Sequence, residues 1–514
     1  MHSSRITWLL FLVPAFPLAA QTSTAIRDAA ATITPADIQR RINVIADDSM
    51  MGRNTPSPGL DQTAQYVAEQ FRRFGLKPAG DNGTFFQRYL IARRRFNLEA
   101  SHVGFHFGGR QIQLGLTDNA RFIAGPVPAG EVHAGGVLLG GAFSAEDVTR
   151  LDLAGKALLT VIDYSKPLTP ATYGALEAAM GRGASAVLLV SNRDTALFRQ
   201  KVAGQPRERV TTPGGPDMAA PALELRGAAL DDLFSWANVD LAAVRASATP
   251  VMREIPGLMI GLDLKEDILD SASAPNTVGL LEGSDPVLKR EYLVFSAHMD
   301  HVGTAGGGEC QARGGDTICN GADDDGSGTV SVVELAEAFS RPGARPKRSV
   351  LFLTVSGEEK GLWGSSYFTS HPTVPMPQIV ADLNIDMVGR NWKDTIVAIG
   401  KEHSDLGTTL ARVASHHPEL HMAPIDDRWP EENFYRRSDH FNFARRGVPI
   451  LFFFNGVHDD YHQVSDSPDK IEAEKQSRIV KLLFYLGQDI ANAAQRPQWN
   501  PKSYQEIVEP RPAT

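Results

Sequence analysis

The sequence predicts an α/β protein: a mixed, mainly parallel sheet with helices on both faces, with a smaller α/β unit inserted before its main part. Three observations lead to this reading. From about residue 275 short apolar runs alternate with segments of helical spacing, the order that strand–helix crossovers produce. Between about 126 and 255 another set of buried-strand runs forms a series of its own. A chain of 514 residues, 42% apolar and 22% charged, is also long enough to bury one large core and a smaller one.

Residues 1–20 stand apart. Arg5 precedes the apolar run Ile6–Ala20, which ends in Leu18-Ala19-Ala20. A positive start, a short apolar stretch and small residues at its end describe a secretory signal peptide. The run contains Pro14 and Pro17 and falls short of the ~20 residues that span a bilayer. The expected product is secreted or periplasmic, with no membrane span in its mature form. Removing the segment takes the net charge from −9 to −10, because Arg5 leaves with it.

Residues 21–125 are assigned to the N-terminal part of the main domain. Ile38, Ile42 and Ile45, then Ala64, Val67 and Phe71, recur at helical spacing, and Gly75 is placed to stop the second helix. Strands are expected at 85–90 and 103–107. The insert, 126–255, shows strand runs at 137–139, 157–162 and 186–190, with a helix at 172–180. The main domain continues over 256–495. Its strands are expected at 292–297, 349–355, 379–385 and 448–454, and its helices at 329–339, 404–416 and 473–494. The tail, 496–514, contains Pro497, Pro501, Pro510 and Pro512 and is expected to be extended or loosely ordered.

Fifty-one Lys and Arg against sixty Asp and Glu leave no basic field for a nucleic acid. Glycine and proline indicate many loops but fall below the roughly 25% of low-complexity chains. Cys310 and Cys319 are expected to pair in an oxidising compartment.

Metal-ligand residue types gather at strand ends, where open α/β sheets bind their ligands. Ala297-His298-Met299-Asp300 places a histidine beside a carboxylate that can orient its ring; His301 is set aside as a ligand. Asp323-Asp324-Asp325 opens a helix between glycines, so a central Asp can be aimed inward, and the spacing is not that of an EF-hand loop. Glu358-Glu359 follows an apolar strand and reads as one ligand and one general base. Asp386 sits in an otherwise apolar strand, where an unpaired carboxylate is costly and calls for a cation or donor. Asp460-Tyr461-His462 follows the last strand. Two histidines and three carboxylates can hold two divalent ions with one Asp bridging. Such a pair polarises a carbonyl and yields hydroxide near neutral pH, while the remaining Glu carries the proton to the leaving amine. Mixed imidazole and carboxylate donors suit zinc. No His-Glu-x-x-His, Gly-x-Ser-x-Gly or P-loop motif occurs.

These phrases, together with Asn-Ile-Asp-Met-Val-Gly (384–389), Ser-Asp-His-Phe (438–441), Met51-Gly52-Arg53 and Phe74-Gly75-Leu76, resemble the secreted di-zinc aminopeptidases of metallopeptidase family twenty-eight. The resemblance covers roughly 35–125 and 275–495. It implies a zinc aminopeptidase-like fold and two Zn²⁺. One ion would be held by His298, Asp324 and Asp386, and the other by Asp324, Glu359 and His462. It further implies Glu358 as general base, Asp300 as the partner of His298, Tyr461 as donor to the oxyanion and Asp439 in support. Peptides are the implied substrates. The insert resembles a protease-associated domain through Leu153-Ala154-Gly155-Lys156, Arg182 to Val187 and Pro221 to Leu225. The loop 303–321, with both cysteines, departs from the family; folded over the cleft it would restrict what enters.

Alternatives remain at this stage. A carboxypeptidase of the glutamate-carboxypeptidase type would need cations for the substrate carboxylate, with Arg428, Arg436 and Arg437 as candidates. A glutaminyl-cyclase-like acyltransferase would use one zinc. A non-catalytic binding protein on the same scaffold would have lost ligands, whereas the full set is present.

Overall fold

The computed structural model describes residues 18–509, apart from 126, 129, 167–168, 206, 212–219 and 307–308. The expected signal peptide therefore lies, through residue 17, outside the described residues; Leu18–Ala31 form helix α1. No helix among the described residues is long and apolar enough to cross a membrane. The chain divides into two compact units. One runs to Tyr89 and resumes over Ser273–Glu509, and the other is Leu90–Ala272.

The first unit is built on the strands β1 (Glu266–Leu281), β2 (Tyr292–His298), β3 (Ser349–Val355), β4 (Ile379–Ile385), β5 (Thr395–Ile399), β6 (Ala423–Ile425) and β7 (Ile450–Phe453). Their order across the sheet is β6-β5-β7-β4-β2-β3-β1. The central four, β7, β4, β2 and β3, are parallel. β1 runs antiparallel to β3, and β5 antiparallel to β7. The sheet is mixed and mainly parallel, as the sequence predicts. Register fixes what meets at its end. His298 pairs with Val355, Ser296 with Asn384 and Ile385 with Phe453, so the carboxyl ends of these strands lie side by side.

Strand side chains alternate between two cores. Leu293, Phe295, Ala297, Val350, Phe352, Leu383 and Phe453 pack with α2 (Pro35–Ile45), α3 (Pro58–Arg73), α4 (Gly326–Phe339), α6 (Leu406–His416) and α7 (Ala473–Asn492). Val294, Leu351, Leu353, Val355 and Phe452 face the other way, with Phe368 of α5 (Trp363–Ser370) and Phe443. Burying both faces explains why these strands read as continuous apolar runs. The helices begin where local chemistry starts them. The Thr34 hydroxyl accepts the Asp37 amide ahead of α2, and the Ser57 hydroxyl accepts the Leu60 amide ahead of α3.

The tail differs from expectation. Pro501 occupies the first turn of α8 (Pro501–Ile507), and Asn500 caps it by accepting the Lys502 amide at 3.0 Å. Proline here starts a helix, since the amide it lacks has no intrahelical partner at that position. Residues 510–514 lie outside the described residues.

The second unit is wider than the predicted insert. Its eight-stranded sheet has a parallel centre, Val132–Gly140, Lys156–Ile162, Ala186–Ser191 and Ala222–Arg226. Residues 90–125, placed by sequence in the main domain, supply its edges. His102–Phe107 pairs with Val251–Asp263 and with Arg110–Gly115, and Ala120–Ala124 pairs with Ala222–Arg226. Pairing between strands so distant in the chain is not visible to a reading by local composition.

Gly487 marks the tightest approach of α7 to the sheet. A Cβ there would lie 2.5 Å from Cζ of Phe295 and 3.0 Å from Cζ of Phe339. Gly487→Ala gains about 1 kcal/mol of helix propensity but overpacks two rigid rings, at a cost of about 1–3 kcal/mol. The variant is expected to unfold at a lower temperature than the wild type, read by circular dichroism; an equal or higher midpoint would show that the core yields.

Candidate metal centre

Four loops leave the aligned strand ends, and each brings donors to one place. His298 ends β2. Its amide donates to Asp325 Oδ2 at 3.2 Å, and its carbonyl accepts from Thr329 Oγ1 at 2.7 Å. Its Nε2 stands 3.4 Å from Asp324 Oδ1 and 3.6 Å from Asp386 Oδ1. The other oxygen of Asp324, Oδ2, lies 3.2 Å from His462 Nε2, which is also 3.1 Å from Glu359 Oε2. Asp324 thus stands between two donor groups, one with His298 and Asp386, the other with Glu359 and His462.

The three consecutive aspartates have three different tasks. Asp323 Oδ1 accepts the Gly389 amide at 2.6 Å, and its Oδ2 lies 3.1 Å from His458 Nε2. Asp324 alone points at the cluster. Asp325 Oδ1 accepts the amides of Gly328, at 2.7 Å, and Met387, at 3.2 Å. Its carboxylate therefore ties the end of β2, the start of α4 and the residue after Asp386.

Asp300 is fully buried. Its carboxylate accepts from Thr55 Oγ1 at 3.0 Å and from the Glu358 amide at 3.3 Å, and lies 3.7 Å from His298 Nδ1. Gly357 precedes Glu358 at φ +72°, where a Cβ would meet Tyr89 Oη at 2.7 Å; glycine is required there. The Glu358 carboxylate accepts no protein hydrogen bond among the described residues. Asp386 is held by Ser438, whose hydroxyl donates to Oδ2 at 3.0 Å. The Tyr461 ring stacks on His462, with centroids 3.9 Å apart. Asp460 turns away, bound to Lys470 at 2.7 Å and Arg390 at 3.1 Å.

The charges are strongly coupled. Burial alone would raise Asp324, but His298, His301 and His462 hold it well below the usual carboxylate range. Burial would lower His462, yet Asp324 and Glu359 raise it to about 10. Burial pushes Glu358 well up, with Glu359, Asp439 and Asp386 adding to the effect. Asp439 is buried and stands at about 7, raised by desolvation first and then by Asp300 and Asp386. Burial and the surrounding carboxylates also raise Tyr461, so its hydroxyl keeps its proton.

Three supporting residues escape a reading by motif. Arg53 is fully buried and donates to the carbonyls of Met299, Asn320, Gly321 and Ile45 at 2.5–3.0 Å, clamping both ligand-bearing loops. Asp466 accepts the amides of Asp323 and Asp324 at 3.0–3.1 Å. His301, set aside from sequence, is fully buried with Nδ1 2.9 Å from Glu359 Oε1. The only signal for Arg53 was its presence in a recognised phrase, and nothing local singles out Asp466.

Cys310 and Cys319 are disulfide-bonded. Together with Val302 they pack on Val464, and Gln311 bridges Gln463. The crosslinked loop is therefore a buttress behind His462. The three arginines considered for carboxylate recognition are exposed and engaged elsewhere: Arg428 over Trp392, Arg436 over Phe441, and Arg437 over Phe434 and beside Glu432.

Residues 276–487 match the profile of peptidase family M28. A vacuolar membrane protease of Tuber melanosporum is 30% identical over 135 residues, 26% of this chain and 12% of that protein. Leupeptin-inactivating enzyme 1 of Streptomyces exfoliatus is 26% identical over 230 residues, 45% of this chain and 46% of that protein. The chain thus spans less than half the length of these two curated relatives. Among solved structures, the aminopeptidase from Aneurinibacillus sp. strain AM-1 aligns over 95% of this chain and 98% of its own at 18% identity, with a TM-score of 0.45.

Asp325→Ala would strip the acceptor from three buried amides, each worth about 1–3 kcal/mol when left unpaired. The metal-free variant is expected to melt well below the metal-free wild type, measured by calorimetry; matching melting curves would mean that these bonds do not support the site.

Proposed function

Because residues 276–487 match the profile of peptidase family M28, we propose that this chain is a zinc-dependent aminopeptidase that removes N-terminal residues from peptides. The observation that carries the reading is the pair of donor groups sharing Asp324, each able to hold one ion. His298, Asp324 and Asp386 would hold one zinc, and Asp324, Glu359 and His462 the other. The fit is chemical as well as geometric. Asp324 Oδ2, Glu359 Oε1 and His462 Nε2 are buried without hydrogen-bond partners among the described residues, and such atoms are rare unless a ligand satisfies them. Imidazole and carboxylate together match zinc preferences.

Held by these residues, zinc would polarise the scissile carbonyl and lower the pKa of water from ~15.7 to about 7. Glu358, its carboxylate not committed to any protein donor, takes the proton of the attacking water and passes it to the leaving nitrogen. The neutral Tyr461 hydroxyl donates to the carbonyl oxygen as charge develops on it. Asp300 orients His298 through its backbone carbonyl, 3.3 Å from Nδ1, with its carboxylate 3.7 Å away, and Ser438 orients Asp386. A cleft rich in carboxylates attracts a substrate's ammonium end over its carboxylate end. The engagement of Arg428, Arg436 and Arg437 with their neighbours weakens the carboxypeptidase alternative. The unit Leu90–Ala272 is read as a protease-associated insert. The disulfide supports a secreted or periplasmic location.

Peptides blocked at one end or the other test the activity, with zinc titrated back after chelation. Cleavage of C-terminally amidated peptides and none of N-acetylated ones is expected; hydrolysis of the acetylated set from its free carboxyl end would overturn the reading. Glu358→Gln should keep both zincs by elemental analysis while kcat falls about 10²–10⁴-fold; wild-type turnover would remove Glu358 from the role of base. Asp324→Ala should hold neither zinc tightly, and two tightly bound ions in that variant would refute the bridge.

A further inference from the structure

One buried side chain is left without a task by the proposed pair of triads. His301 is fully buried, and among the described residues neither of its ring nitrogens has a hydrogen-bond partner. An imidazole so placed forfeits about 1–3 kcal/mol for each unmet polar group unless something occupies it.

Its surroundings indicate what that is. Nδ1 lies 2.9 Å from Glu359 Oε1 and 3.6 Å from Asp324 Oδ2, and both oxygens are themselves unpartnered. His462 Nε2 faces the same two carboxylates, and one donor atom from each of the four residues lies within 4.8 Å of the others. The His301 and His462 rings meet edge to face, 80° apart with centroids at 5.5 Å, so they approach one point from different directions. The backbone holds the ring in place. The His301 amide donates to the Arg53 carbonyl at 3.3 Å, and a Cβ on Gly321 would lie 2.5 Å from the ring, so glycine makes room for it. A hydrogen bond to Glu359 is the competing explanation, but it leaves Nε2 unmet and is not formed with the required alignment.

We propose that His301 is a fourth protein ligand, through Nδ1, to the ion held by Asp324, Glu359 and His462. The proposal rests on the two-metal reading and makes its two positions unequal. Four protein donors make a closed zinc site of the structural kind, whereas three leave a position open for water and substrate. The ion at His301 is then the retained one, and the ion at His298, Asp324 and Asp386 is the exchangeable one.

X-ray absorption on the wild-type full chain loaded with two zincs counts the imidazoles directly. Three histidine ligands per two zincs are expected, and two would overturn the proposal. Competition with a chelator should resolve a tighter and a weaker ion. His301→Ala should weaken the tighter one by more than about 100-fold, beyond what loss of an outer hydrogen-bond partner costs, and leave the other unchanged. Unaltered affinities at both positions would overturn it as well. Should the variant fail to fold, the imidazole count on the wild type decides. A wild-type chain that binds no zinc would instead defeat the two-metal reading itself.

Discussion

The Asp325 carboxylate accepts the backbone amides of His298, Met387 and Gly328, and the geometry of both donor groups depends on those three bonds. They join the ends of two parallel strands to the start of a helix, so His298, Asp324 and Asp386 cannot move independently. Arg53 holds the same loops through four carbonyls, and Asp466 accepts the amides of Asp323 and Asp324. Buried charged groups here bond mostly to backbone, and that makes the loops rigid. A backbone partner cannot rotate away as a side-chain partner can. Donor atoms that must be held to within about 0.5 Å of a required geometry gain from that stiffness.

Register does the rest. His298, Val355, Ile385 and Phe453 finish their strands level with one another, so residues 155 positions apart emerge at one edge. The left-handed φ of His462, +57°, is uncommon for a residue with a side chain and turns the ring back toward Asp324. The disulfide-closed loop packs behind that turn through Val302, Cys310, Cys319 and Val464. Folded over the cleft, this loop would limit entry; its contacts instead place it against the segment that carries His462.

How much was legible follows from where the information resides. The central strands were readable because burial on both faces writes continuous apolar runs, and their ends locate His298, Glu358 and Asp386 without further help. Asp324 was separated from Asp323 and Asp325 only by resemblance, because three adjacent carboxylates differ in what they face, and facing is tertiary. His301 is not singled out by sequence, because nothing local says which way its ring faces. The division between the units falls 36 residues earlier than the expected start, at Leu90 and not at 126. Strands 102–107 and 120–124 look alike whether they pair with the main sheet or with Val251–Asp263 and Ala222–Arg226. Pro501 shows the same limit on a smaller scale, since proline both ends and begins helices, and only the Asn500 cap decides.

The acidic excess of the chain takes on meaning at this centre. Asp300, Asp324, Glu358, Glu359, Asp386 and Asp439 lie close together and are shielded from water; in that setting carboxylates either protonate or attract cations. Without metal the histidines supply the positive charge, and His462 holds its proton up to about 10 because Asp324 and Glu359 face it. For this group alone, the metal-free fold is favoured below the ordinary histidine range and loses that contribution as pH rises through about 10. On the proposed two-metal reading, zinc would need the same nitrogen unprotonated, so binding at neutral pH would release a proton there. Metal and proton would then compete for one set of donors, and affinity for the ion would rise with pH. The cluster that repels itself when empty of positive charge is, for the same electrostatic reason, one that a divalent cation stabilises.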